Sequence, residues 1–262
     1  MEILTSVGYW ALLVVVGGAC GLLNTLASSG SAVSLPLLVM LGMPEDVANA
    51  TNRLPVLIGS LMATLSFARL GQLDWAAAAK LVPAAAAGSV LGAILAEYTP
   101  NRDMGLLITA AVMVALLMLF TKIKQALAHV ATDLPHISIK AIVLIFLVGV
   151  WLGFLVLDGA TYLLLVLILI CNYALPQANG LKVFIIAVTS LVPLLMFGGA
   201  GEVAWAEGGA LAAGSVAGGH AGALLSNHAE AKRWAFRLLV AVILLELAHL
   251  CWHYSAPLRA AS

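Results

Sequence analysis

Apolar runs follow one another along this chain with almost no polar sequence between them. They lie at about residues 7–27, 31–43, 47–68, 75–96 and 103–121, and again at about 140–157, 160–172, 177–198, 205–226 and 235–252. One long polar stretch, TKIKQALAHVATDLPHISIK, separates the two sets. In hydrocarbon, backbone N–H and C=O groups find no water, so runs of this kind fold as helices whose hydrogen bonds close internally. The chain is 63% hydrophobic and 9% charged, far from the ~25% charged residues of a soluble domain. The expected fold class is therefore an all-α polytopic membrane protein. Its parts are a first transmembrane repeat at 1–122, a cytoplasmic linker at 123–139 and a second repeat at 140–262.

The second run of each set has only about 13 residues, or ~20 Å of helix against a ~30 Å hydrocarbon core. These two are expected as short broken or re-entrant helices. The sets are also related to each other. At an offset of 130, Asn49 falls on Asn179, Ser60 on Ser190, Phe67 on Phe197, Gly71 on Gly201, Trp75 on Trp205, Gly88 on Gly218 and Gly92 on Gly222. Lys and Arg gather in alternate connections: Arg69, Lys122, Lys124, Lys140, Lys232, Arg233 and Arg237 on one side, Arg102 and Arg259 on the other. The positive side is expected to be cytoplasmic, which puts both termini outside. Five runs per half then make two inverted repeats, the plan of many secondary transporters.

Other features bound the function. Net charge is zero, with no basic tail or stripe, so nucleic acid is not an expected partner. The N-terminus MEILTSVGYW has no basic n-region and no small-residue cleavage site, so no cleaved signal peptide is expected. Cys20, Cys171 and Cys251 lie apart in apolar runs and are expected as buried apolar residues. No P-loop, HExxH or GxSxG motif and no paired aspartates occur, so the expectation is no enzyme, no cofactor and no metal. Glycines recur every four residues at 17 and 21, 88 and 92, 149 and 153, and 214, 218 and 222. Such faces let helices approach closely. Packing within the chain is the expected use, with a homodimer left open.

Charges inside apolar runs are costly and point to function. Arg53 and Lys182 each lie a few residues into the third run of their half, where Lys182 matches Asn52 at the 130-residue offset. Snorkelling to an interface accounts for either alone; their symmetric placement points to a shared anion site. Asn49, Asn52 and Asn179 add donors without negative charge, in segments expected to open helices. Facing them are the breaks NTLASSGSAVS and LVLDGATYLL, where Asn24, Ser28, Ser29 and Gly30 are expected to offer donors. Asp158 is open to three readings: a coupling proton carrier, an ion-pair partner of Lys182 or Arg53, or a helix cap. His220 is either a proton site or a satisfied buried histidine. Trp10, Trp75, Trp205, Trp252 and Tyr254 suit an interfacial aromatic belt.

These residues also carry a resemblance. The glycine-rich first span, LPLLVMLGMPEDVANATN, FARLGQLDW and their weaker second-half echo resemble the sulfite exporter TauE/SafE family of bacterial permeases over nearly the whole chain. The resemblance implies a secondary transporter in the bacterial inner membrane. Its substrate would be a small sulfur-containing anion, sulfite or an organosulfonate, usually exported. The chain departs from the family pattern at ASSGS, where a run of glycines is usual, at the acid in VLDGAT, and near Arg53, where the family often has a small polar residue. An anion channel, or a carrier for another small organic anion, is the alternative.

Overall fold

A computed structural model describes residues 2–100, 134–157 and 159–226, together with residues 107, 228, 230, 234 and 237. Among these, every regular element is a helix: α1 (Glu2–Leu26), α2 (Ser31–Met40), α3 (Glu45–Thr51), α4 (Arg53–Arg69), α5 (Trp75–Glu97), α6 (Ile139–Phe154), α7 (Gly159–Leu169), α8 (Leu175–Ala200) and α9 (Trp205–Leu225). The fifth and tenth apolar runs and most of the linker lie outside the described residues. Three stretches are long and apolar enough to cross a membrane, Val7–Leu26, Trp75–Glu97 and Leu175–Ala200. α2, α6 and α7 are apolar but shorter.

Helix ends follow local chemistry. Asp74 caps α5 by accepting from Ala77 N at 3.0 Å, and Ser138 caps α6 by accepting from Ala141 N at 3.3 Å. The Ala77 N–H holds the Asp74 carboxyl below its usual range, a shift that burial opposes and the Tyr173 hydroxyl supports. Pro176 sits in the first turn of α8, where a missing N–H costs nothing. The run expected at 47–68 as one helix is divided at Asn52 into α3 and α4. Pro55 explains this, because it has no N–H to give the Thr51 carbonyl one turn earlier. Cys20 and Cys171 are free and buried. Trp10, Trp75 and Trp205 are exposed, as an aromatic belt requires; Trp252, Tyr254 and Cys251 lie outside the described residues.

The glycine spacing is used inside the chain. The most extensive interfaces are α1 with α9 and α5 with α6. Gly17 meets the Leu211 backbone, Gly21 meets Ser215 and Gly219, and Gly218 meets Gly18 and Leu22. Positions rise together on both helices, so α1 and α9 run parallel. By the same reasoning α5 and α6 run parallel, with Ala85 on Gly149, Ser89 on Gly153 and Gly92 between Val150 and Phe154. α4 also runs parallel to α9: Thr51 lies near Gly208 and Gly59 near Ser215, with Ser66 on His220 further along. Tight connections at 70–74 and 201–204 reverse the chain between α4 and α5 and between α8 and α9.

Both short helices double back on their predecessors. Gly30 packs on Cys20 and Asn24, and Ser34 Oγ lies 3.3 Å from Cys20 Sγ. In the second half, His136 N, just before α6, donates to Cys171 O, just after α7, at 3.1 Å. The offset of 130 is visible in the backbone as well. Left-handed φ occurs at Gly42 (89°) and Asn172 (58°), and at Gly71 (67°) and Gly201 (80°), each pair 130 apart.

A side chain at Gly218 would overlap the Gly18 carbonyl, and one at Gly92 the Val150 carbonyl. Gly218→Leu and Gly92→Leu are expected to cost more than the ~1–3 kcal/mol of ordinary overpacking, read as a lower thermal midpoint in detergent. Gly199, with open space around it, should accept Ala without a comparable loss.

Candidate functional site

The site is built on two interruptions, between α1 and α2 and between α6 and α7. A helix end leaves its last carbonyls without intrahelical partners and carries partial negative charge. When the end is buried, something must replace water. Lys182 of α8 does this for α1: Nζ donates to Asn24 O at 3.1 Å, Thr25 O at 3.0 Å, Ser28 Oγ at 2.9 Å and Asn179 Oδ1 at 3.0 Å. Arg53, which opens α4, does it for α6. Its Nη1 donates to Leu152 O, and its Nη2 to Gly153 O at 2.8 Å and Phe154 O at 3.3 Å. Asn49 Nδ2 adds a bond to Phe154 O at 3.0 Å. Both cations are fully buried, and each closes the helix end of the other half.

The interruptions adjoin. Thr161 Oγ1, at the start of α7, donates to Ser28 O at 3.4 Å. Ser28 holds a left-handed φ of 62°, a conformation that persists in a non-glycine residue when its surroundings over-determine it. Lys182 on its hydroxyl and Thr161 on its carbonyl supply that constraint. Gly30 packs so closely on α1 that a Cβ would overlap the Cys20 carbonyl. Ser29 is buried beside them. Asn24 Nδ2 donates to Ser60 Oγ at 3.3 Å, and Ser34 Oγ donates to Asn52 Oδ1 at 2.6 Å.

Several polar atoms here have no partner. They are Ser31 Oγ, Asn49 Oδ1, Asn52 Nδ2 and Arg53 Nε, four of the five such atoms among the described residues. Each buried unpaired group costs about 1–3 kcal/mol, so a cluster of them marks a place organised for something other than stability.

Two expectations are corrected. Asn49 lies inside α3 rather than at a helix start, and Asn52 stands between α3 and α4 with its N–H already used, donating to Ala48 O at 2.9 Å. Asn179 likewise sits inside α8, which begins at Leu175. Both short helices, α2 and α7, have buried starts. His220 is exposed rather than buried, with Nδ1 2.9 Å from Ser66 Oγ, and lies on α9 away from the interruptions. Asp158 lies outside the described residues. Sequence reasoning brought Arg53, Lys182, the asparagines and the Ser28–Gly30 turn to one region. It placed Ser31 and Ser34 in the polar break NTLASSGSAVS without singling them out as donors, and it did not single out Thr161.

Removing either cation should leave helix-end carbonyls buried and unpaired. Lys182→Met and Arg53→Met are each expected to lose about 2–5 kcal/mol of stability, measured by unfolding in detergent. Unfolding midpoints equal to wild type in both would refute the capping role.

The family model described as Sulfite exporter TauE/SafE matches residues 13–249. A probable membrane transporter protein of Haemophilus influenzae is 26% identical over 217 residues, covering 81% of this chain and 83% of that protein. The probable membrane transporter protein YfcA of Escherichia coli K12 is 26% identical over 220 residues, covering 82% and 79%. A shorter match, 35% identical over 91 residues and 35% of each chain, is to the probable membrane transporter protein ORF9 of a Sinorhizobium species. No solved structure matches.

Proposed function

The chain belongs to the sulfite exporter TauE/SafE family, and on that premise we propose that it is a secondary transporter exporting small sulfur-containing anions, such as sulfite or organosulfonates, across the bacterial inner membrane. The family and the names of its relatives support a membrane transporter. The observation that carries the anion is the buried pair Arg53 and Lys182, one at each of two adjoining helix interruptions. The Arg53 guanidinium, buried inside an apolar fold, bonds to neutral carbonyl oxygens, which solvate a cation and leave its field available to a passing anion, and Lys182 stands at the adjoining interruption.

Transport proceeds by alternating access, with one inverted repeat rocking against the other. The packing register supports the inversion. α1 and α4 run with α9, α5 runs with α6, and the tight reversals between α4 and α5 and between α8 and α9 then turn the second half over relative to the first. The short α2 and α7 serve as re-entrant halves lining the path.

Reconstituted protein is expected to bind sulfite and taurine more tightly than a carboxylate of similar size and to show saturable counterflow in proteoliposomes. Arg53→Gln and Lys182→Gln, compared on the folded fraction, should each weaken sulfite binding. Wild-type affinity in both would remove the cation pair from the site. For orientation, Leu70 and Tyr98 are exposed at opposite ends of α5. In a cysteine-free background, Leu70→Cys should be labelled from the cytoplasm and Tyr98→Cys from outside; the reverse pattern would invert the topology.

A further inference from the structure

We propose that the anion seats on the amino-terminal turn of α2, held by the Ser31 hydroxyl and the Asn52 side-chain amide beside the Arg53 guanidinium. This rests on the reading of the chain as a carrier of small oxoanions and deepens it by placing the ligand in one half of the paired interruptions.

The α2 helix has 10 residues, begins after Gly30, receives no side-chain cap and has no acid in its first turn. Its start is buried from Ser28 through Ser34. Ala32 N and Val33 N donate to Ser29 O at 3.3 Å and Gly30 O at 3.1 Å, but the dipole of a helix start still favours a negative charge, and the first turn of α2 holds no carboxylate. The second observation is independent of the helix. Ser31 is 1% exposed and its Oγ has no partner; Asn52 and Arg53 are 0% exposed, and Asn52 Nδ2 and Arg53 Nε have none either. Asn52 is held against α2, because its Oδ1 accepts from Ser34 Oγ at 2.6 Å, one turn beyond Ser31. The Asn52 side chain is thereby tied to α2, and its Nδ2 is left without a partner. Each of these three groups can donate, the Ser31 hydroxyl being able to accept as well; among the described residues the unpartnered side-chain oxygens besides it are Asn49 Oδ1 and Gln72 Oε1.

A buried set of unfilled donors at a positive helix end calls for a ligand with several acceptor oxygens and one negative charge. A sulfite or sulfonate group presents three oxygens, enough for the hydroxyl, the amide and the guanidinium Nε–H together; a carboxylate presents two. The other half is not equivalent. In sequence, α7 follows an acid, Asp158, where α2 follows Gly30. Lys182 bonds to the last carbonyls of α1 and to Ser28, so it orders the chain leading into α2 and is a positioning residue for the seat.

The test uses the full chain in lipid nanodiscs, with sulfite as probe and acetate as comparison. Ser31→Ala is expected to raise the Kd for sulfite about tenfold or more while leaving the unfolding midpoint of the empty protein unchanged or higher, because the hydroxyl removed has no partner to lose. Asn52→Asp keeps the acceptor for Ser34, replaces the donor edge with a carboxylate next to Arg53, and is expected to abolish sulfite binding in a folded protein. Wild-type sulfite affinity in either variant overturns the seat while the transporter reading stands. A drop in midpoint for Ser31→Ala with unchanged Kd would make the hydroxyl structural and likewise overturn it. A wild-type chain that binds no sulfur oxoanion overturns the reading of the substrate and the seat with it.

Discussion

A helix that stops inside a protein exposes carbonyls to a medium that cannot hydrogen-bond them. Everything distinctive here follows from how this chain meets that demand. Arg53 and Lys182 reach across from one half to the other and close the ends of α6 and α1. Without them, the interruptions between α1 and α2 and between α6 and α7 would carry unpaired carbonyls, and a continuous helix would be the cheaper structure. The cations thus permit irregular backbone in the interior of an apolar fold, which is tolerated only where protein or a polar cavity covers it.

The close packing elsewhere holds this arrangement in place. Glycine stripes bring α1 onto α9 and α5 onto α6 with backbone in contact with backbone. Each pair joins a helix of the first half to one of the second, as the cations do. Rigid contact of this kind supports discrete rearrangement rather than gradual deformation, since close-packed interfaces resist small strains.

Much of this was legible in the sequence, and for identifiable reasons. Runs of apolar residues report helices directly, the 130-residue offset matches the paired left-handed turns at 42 and 172 and at 71 and 201, and four-residue glycine spacing reports which faces touch. Arg53 and Lys182 stood out because charge in an apolar run has few explanations. Besides Ser28 Oγ and Asn179 Oδ1, the oxygens that those charges meet at the helix ends were not legible. They are backbone carbonyls at 24, 25 and 152–154, and carbonyls leave no trace in residue identity. The divided third run was hidden for a similar reason: Pro55 is visible, but whether it kinks or divides a helix depends on tertiary packing. Ser31 was not distinguished from the other serines of the break, because only burial without a partner sets it apart.

The crossed capping has a consequence for how the molecule comes into being. The first interruption is made at residues 27–30, yet the group that closes it is residue 182, more than half the chain later in synthesis. Until the second half enters the membrane, the end of α1 has no cation to receive its carbonyls. The reverse does not hold, because Arg53 is already present when α6 is made. The two halves therefore mature in an order set by translation: the earlier half waits, and the later half arrives to a partner prepared for it.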